Sequence, residues 1–209
     1  NSALSDSDVS SMYALISAEH VIPPTYSVTY DGNGATGGTV PTDNTAYISG
    51  SSVTVLSNTG SLTESGYNFA GWNTAADGSG DSYSIGSTLV ITQNTQLYAQ
   101  WTAKVYSFVN TNIPSTGVTG SALNISANVY TDGSLDAGLS DTATLTAYSD
   151  SQGTTVLSSY SVGIVNGAVS YQLDTTGIGG TIYLRLSFGA AQSSIQQVAL
   201  AAFGPVTFS

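Results

Sequence analysis

The sequence predicts a mainly β protein: two small domains, preceded by an extended N-terminal segment. Three observations carry this. Short runs rich in β-branched and aromatic residues recur along the chain, punctuated by Gly, Asn, Asp or Pro. Their spacing is close to the roughly 8–12 residues expected of sandwiches and small barrels. No window of about 15 residues reads cleanly as an amphipathic helix.

Residues 1–25 precede the first clear strand and end in Pro23-Pro24, which cannot donate to a ladder and favours a stiff extended exit. The stretch from Val9 to Glu19 can be read in two ways. At period two, Met12, Ala14, Ile16 and Ala18 share one face, with Tyr13 and Leu15 on the other. At helical period, Val9, Met12, Tyr13 and Ile16 form a stripe that Asp6 or Ser7 could cap. The proline pair tips the expectation toward a strand. Apolar burial of about 1.5–3 kcal/mol per large side chain does not offset ordering at about 1–2 kcal/mol per residue. A backbone ladder in a receiving groove is therefore needed. Residues 9–22 are expected to add as a donor strand to a neighbouring copy, through Val9, Met12, Tyr13, Ala14, Leu15, Ile16, Ala18, Val21 and Ile22.

Residues 26–102 hold strand runs at Tyr26 to Tyr30, Ser52 to Leu56, Tyr67 to Trp72 and Gln96 to Trp101. Asp31-Gly32-Asn33-Gly34 is a strong turn signal, because Gly and Asn tolerate positive φ. Tyr67, Phe69 and Gly71 alternate onto one strand face and Trp72 onto the other. Tyr67, Phe69, Trp72, Tyr98 and Trp101 are expected to fill the core of this small unit; an exposed carbohydrate platform is the alternative for the two tryptophans. Asp77-Gly-Ser-Gly-Asp81 admits two readings: a plain turn, or a calcium loop in which Asp77 and Asp81 supply oxygen ligands. The EF-hand spacing is absent, so the turn is expected and no metal is assigned.

Residues 103–209 contain seven strand-like runs, from Val105 to Val109 through to Ile195 to Phe203, and read as an immunoglobulin-like β-sandwich. Val165-Asn166-Gly167-Ala168 is a hairpin signature. In Thr181 to Phe188, Ile182, Leu184 and Leu186 alternate with Tyr183, Arg185 and Ser187. The junction Thr102-Ala103-Lys104 is short and lacks Gly and Pro, which predicts restricted interdomain motion. Asn124-Ile125-Ser126 is an N-x-S sequon, a chance match in a bacterium and a possible glycosylation site in an archaeon.

Composition excludes whole function classes. The chain has 209 residues, 13 acidic and two basic, for a net charge of -11. Two cations cannot build a nucleic-acid footprint or a polybasic membrane patch. No apolar run is long enough to span a bilayer as a helix. With no cysteine, disulfides and thiolate sites are absent. The start at Asn1, without an apolar h-region, reads as that of a processed or cut chain. A Ser/Thr-rich, charge-poor, acidic surface suits the outside of a microbe.

The segments Tyr26 to Gly34, Gly66 to Gly78 and Leu97 to Thr102, in this order and spacing, resemble the Listeria–Bacteroides repeat, the B-repeat of internalin-type surface proteins. The resemblance implies a small β-grasp-like module in a secreted or surface-anchored protein of a bacterium or archaeon. It also implies a spacer, structural or adhesive role without catalysis. Residues 103–209 resemble, by pattern alone, the Ig-like domains of bacterial surface proteins.

Little points to an enzyme. His20 is the single histidine and lies in the Pro-flanked segment. Glu19 and Glu64 are the only glutamates, and most aspartates sit in turn contexts such as Asp132-Gly and Asp150-Ser. Lys104, the single lysine, lies at the junction, where an isopeptide bond is not expected. No catalytic residue and no cofactor are assigned. The expected function is a structural subunit of an extracellular filament or pilus-like assembly with copies of itself as partners. The alternative is a segment of a monomeric adhesin that binds glycans or host surfaces.

Overall fold

The computed structural model describes residues 3–19 and 23–202. The chain divides into two units, 1–103 and 104–209.

The first unit opens with a helix, not with the extended strand expected for residues 9–22: α1 runs from Asp6 to Glu19. Ser5 and Asp8 form a reciprocal capping box. The Ser5 hydroxyl accepts from the Asp8 N–H at 3.3 Å, and the Asp8 carboxylate accepts from the Ser5 N–H at 3.0 Å. Asp6 and Asp8 sit in the first turn, where the helix dipole favours them. The cap thus lies one residue before Asp6 and two before Ser7, the candidates read from sequence. A strand satisfies its backbone groups only beside another strand. Among the described strands none pairs with this segment, and the helix satisfies its groups internally.

The remaining strands of this unit are β1 (Thr25–Tyr26), β2 (Val28–Asp31), β3 (Tyr47–Ile48), β4 (Ser52–Thr54), β5 (Tyr67–Asn73), β6 (Ser82–Tyr83), β7 (Thr88–Val90) and β8 (Thr95–Ala103). A four-stranded sheet has the order β2-β8-β5-β6, with β2 parallel to β8. The antiparallel pair β4–β7 and its flanks bring Val53, Val55, Leu62, Leu89 and Ile91 onto the core residues Val28, Leu97 and Ala99. β-Grasp folds cover their sheet with a helix. Among the described residues of 23–103 the covering layer is this ladder and its loops.

In the second unit the strands are β9 (Tyr106–Asn112), β10 (Thr116–Val118), β11 (Ala122–Thr131), β12 (Ser134–Leu135), β13 (Asp141–Tyr148), β14 (Val156–Val165), β15 (Ala168–Asp174), β16 (Gly180–Phe188), β17 (Ala191–Gln192) and β18 (Gln196–Ala201). The order β10-β18-β16-β13-β14 makes one layer, and β15-β11-β9 the other. Their backbone connection is the β14–β15 hairpin, paired only at Ile164↔Val169 and Val165↔Ala168. Asn166 (φ 51°) and Gly167 (φ 72°) form its two-residue turn, both in the left-handed region such a hairpin requires. Inward residues alternate on every long strand: Leu123, Ile125, Ala127 and Val129 from one layer meet Leu145, Val162, Leu184 and Val198 from the other. Ile182, Leu184 and Leu186 face inward as their alternation predicts. The expected end of the last strand, Phe203, lies outside the described residues.

Candidate functional site

The motif residues of the first unit act as hydrogen-bonded staples around a ring cluster. Tyr30, Trp72, Phe69 and Trp101 stack edge to face in series, with centroids 4.7, 5.1 and 5.7 Å apart. Trp72 is 1% exposed, and its indole N–H donates to the Leu56 carbonyl at 3.0 Å. The indole of Trp101 donates to the carbonyls of Gly32 and Asn33 at 3.2 and 3.0 Å, which clasps the Asp31–Gly34 turn. Asn33 ties the same turn to Ala76 and Ala99 through its amide, at 2.8 and 2.7 Å. These rings are built into the fold, so neither tryptophan is the flat exposed platform a sugar would stack on.

Three expectations for this core need correction. Tyr67 is 41% exposed and lies outside the buried cluster. Tyr98 is also outside it, because Leu97 and Ala99 take the inward positions of β8 and Tyr98 alternates away. Strict alternation along β5 fails as well. An extra residue enters the ladder between Phe69 and Gly71, and the bulge brings Phe69 and Trp72 onto the same face. Gly71 stands there at φ 128°, and a Cβ would come within 3.0 Å of the Tyr83 carbonyl.

The Asp77–Asp81 loop is organised by a residue the sequence reading overlooked. Asn73, 1% exposed, donates its amide to the Gly78 and Gly80 carbonyls and the Ser82 hydroxyl. Its oxygen accepts from the Ala75 and Gly80 N–H groups at 2.8 and 3.1 Å. Asp77 accepts from the Ser79 hydroxyl at 2.6 Å and from its N–H at 3.1 Å, which holds its carboxyl below the usual range. Asp81 is exposed, and its N–H donates to the Thr74 hydroxyl at 2.9 Å. Among the described residues no group of three or more His, Asp or Glu side chains converges as a metal site would. His20 lies outside the described residues. Asn124 is exposed mid-β11, and its amide oxygen accepts from Gln172 at 3.0 Å.

Two surface features remain. The first is the N-terminal segment. Leu4, Met12 and Leu15 are 64, 51 and 65% exposed, and no described side chain of α1 is buried. Val9, Tyr13 and Ala14 are likewise exposed. Ile16 and Ala18 belong to the helix, without described side chains; Val21 and Ile22 lie outside the described residues. The second is a polar groove of about 260 Å³ lined by Tyr26, Ser27, Asp43, Asn44, Thr45 and Asn94. Burial works to raise the pKa of Asp43, but hydrogen bonds from the Thr45 N–H and the Tyr47 hydroxyl outweigh it and hold the carboxyl below its ordinary value.

Residues 26–100 match the model of the Listeria-Bacteroides repeat domain. A protein of Evansella cellulosilytica named as a Gly-rich membrane protein is 41% identical over 83 residues, covering 39% of this chain and 9% of that protein. A second, named as a membrane protein of the same organism, is 43% identical over 77 residues, covering 36% of this chain and 11% of that protein. The chain thus matches about a tenth of the length of these relatives. No helix among the described residues is long and apolar enough to cross a membrane.

Proposed function

We propose that this chain, with its Listeria-Bacteroides repeat at residues 26–100, is a non-catalytic structural segment of a bacterial surface protein. In this reading it assembles extracellularly with copies of itself, in a filament or pilus-like array, through its N-terminal segment. The surface placement is supported by the repeat, by the two membrane-protein relatives and by a charge-poor hydroxyl-rich composition. The observation that carries the assembly is the uncovered N-terminal segment. Apolar side chains exposed together on one short element are a contact surface awaiting a partner. Residues 9–22 are the proposed connector, entering a neighbouring copy as an added strand. Removing residues 1–22 should yield folded monomers, measured by light scattering and electron microscopy. Assemblies that persist after the deletion would sink this reading.

The polar groove beside β1 favours a second reading, glycan adhesion. A half-buried tyrosine ring beside Asp43, Asn44 and Asn94 offers the mix of apolar face and hydroxyl-binding groups that a sugar requires. Glycan-array binding by the parent, lost in Tyr26→Ala and Asp43→Ala, is the expected outcome under this reading.

A further inference from the structure

Among its described residues, the second unit leaves one long strand edge open. Over 156–163, β14 pairs with no described strand but β13, and its ladder with β15 consists of the two pairs beside the turn. The two strands diverge from that hairpin, and the rings of Tyr160 and Tyr171 meet across the gap, 6.2 Å apart. Near the start of β14 lies a cavity of about 410 Å³, lined by Leu157, Ile178 and Ile182 among others. Leu157 is the extra residue of a bulge against β13 and is 53% exposed.

Open edges are normally blunted, and the other edges of this unit are. β9 is broken by a bulge at Asn110, whose φ is 52°. β10 and β12 have three and two residues. The free part of β15 is short and ends in Asp174. β14 has a bulge only at its start, at Leu157; beyond it the pairing with β13 is regular, and Val156–Val165 contains no proline and no charge.

We propose that the β14 edge is the acceptor for the N-terminal segment of a second copy, which unwinds from α1 and adds as a strand. This rests on the assembly reading above and names its receiving surface. Charge selects the occupant. With a net charge of -11, two copies repel unless they meet through carboxylate-free surfaces. Residues 9–18, VSSMYALISA, carry no charge and match an edge that carries none. Length agrees: eight strand residues span about 26 Å at roughly 3.3 Å each, and the segment supplies that many. Unwinding costs little, since a helix of 14 residues is marginal without packing, and α1 buries no described side chain. The exchange gives the unpaired backbone of β14 a ladder, and gives Leu157 and the cavity an apolar cover.

The absence of cysteine in the parent allows a clean cross-linking test. Full-length chains carrying Ala14→Cys are mixed with chains carrying Ser159→Cys or Ser161→Cys on β14, or Ser107→Cys on β9 and Ser170→Cys on β15 as controls. Mild oxidation should link Ala14→Cys to the β14 positions at least tenfold more than to the controls, in oligomers. Leu157→Lys, at an exposed site, should keep the parental melting temperature and lose assembly. Links at β9 or β15, or a Leu157→Lys variant that assembles normally, would overturn the β14 assignment and leave self-assembly standing. Links within monomers would overturn the second-copy occupant. A parent that stays monomeric at every concentration would remove the assembly reading and this inference together.

Discussion

Trp72 joins the ring series and the Leu56 carbonyl in one side chain, so truncation removes both packing and a buried hydrogen bond. Trp72→Ala should cost about 3–5 kcal/mol, measured by denaturant unfolding. An unchanged midpoint would contradict its place in the core. Asn73 is a different kind of anchor: five hydrogen bonds converge on one buried amide. Asn73→Ala should cost about 1–3 kcal/mol and speed amide exchange across 77–81. Because that amide closes the loop, EDTA should leave the melting temperature unchanged. Asp150 accepts from the Thr154 N–H, the strongest influence on its carboxyl, and from Thr155 and Gln152, which brings its pKa down to about 2. The unfolded value is about 3.9. Its stabilising contribution is therefore present above about pH 4 and lost as pH falls toward about 2. Asp150→Asn should show a smaller loss of melting temperature than the parent between pH 5 and 2. Tyr67 and Tyr98 were misassigned to the core and Tyr30 was missed, but Trp72 and the turn glycines of the motif were legible because few residues can fill those roles. Asn73 was not, since an asparagine after a tryptophan looks like any polar position until the loop folds over it.

At the scale of elements, pattern was strong wherever the core decided orientation. The alternation of Ile182, Leu184 and Leu186 and the Asn166-Gly167 turn both follow from local chemistry. Two failures share a cause. The bulge between Phe69 and Gly71 rotates the strand by one residue, and a period-two reading cannot see an inserted residue. The N-terminal segment satisfies helix and strand periods about equally, so the partner present decides its state. Ser5→Ala removes the cap, which in exposed helices is worth about 0.5–2 kcal/mol. Helical chemical shifts over residues 6–15 should weaken while the global melting temperature stays fixed, because α1 buries no described side chain. A lower melting temperature would mean that the helix supports the unit.

For the whole molecule, the mainly β class was legible from composition and the spacing of strand runs; the chain divides between Ala103 and Lys104. Sheet order was not, because which strands become neighbours depends on long-range closure that no local window records. The open edge of β14 therefore appeared only with the fold.

One feature of that order recurs. In each unit a strand near its beginning runs parallel to the strand that ends it: β2 beside β8, with Val28–Asp31 against Thr95–Tyr98, and β10 beside β18, with Thr116–Val118 against Ala199–Ala201. Tension on the chain pulls the first strand of such a pair backward and the last one forward. The bonds between them are then loaded in shear, all at once, and cannot be unzipped one by one. A tether built this way resists extension until the whole clamp gives. Single-molecule pulling should therefore show two abrupt rupture events with little yielding before either.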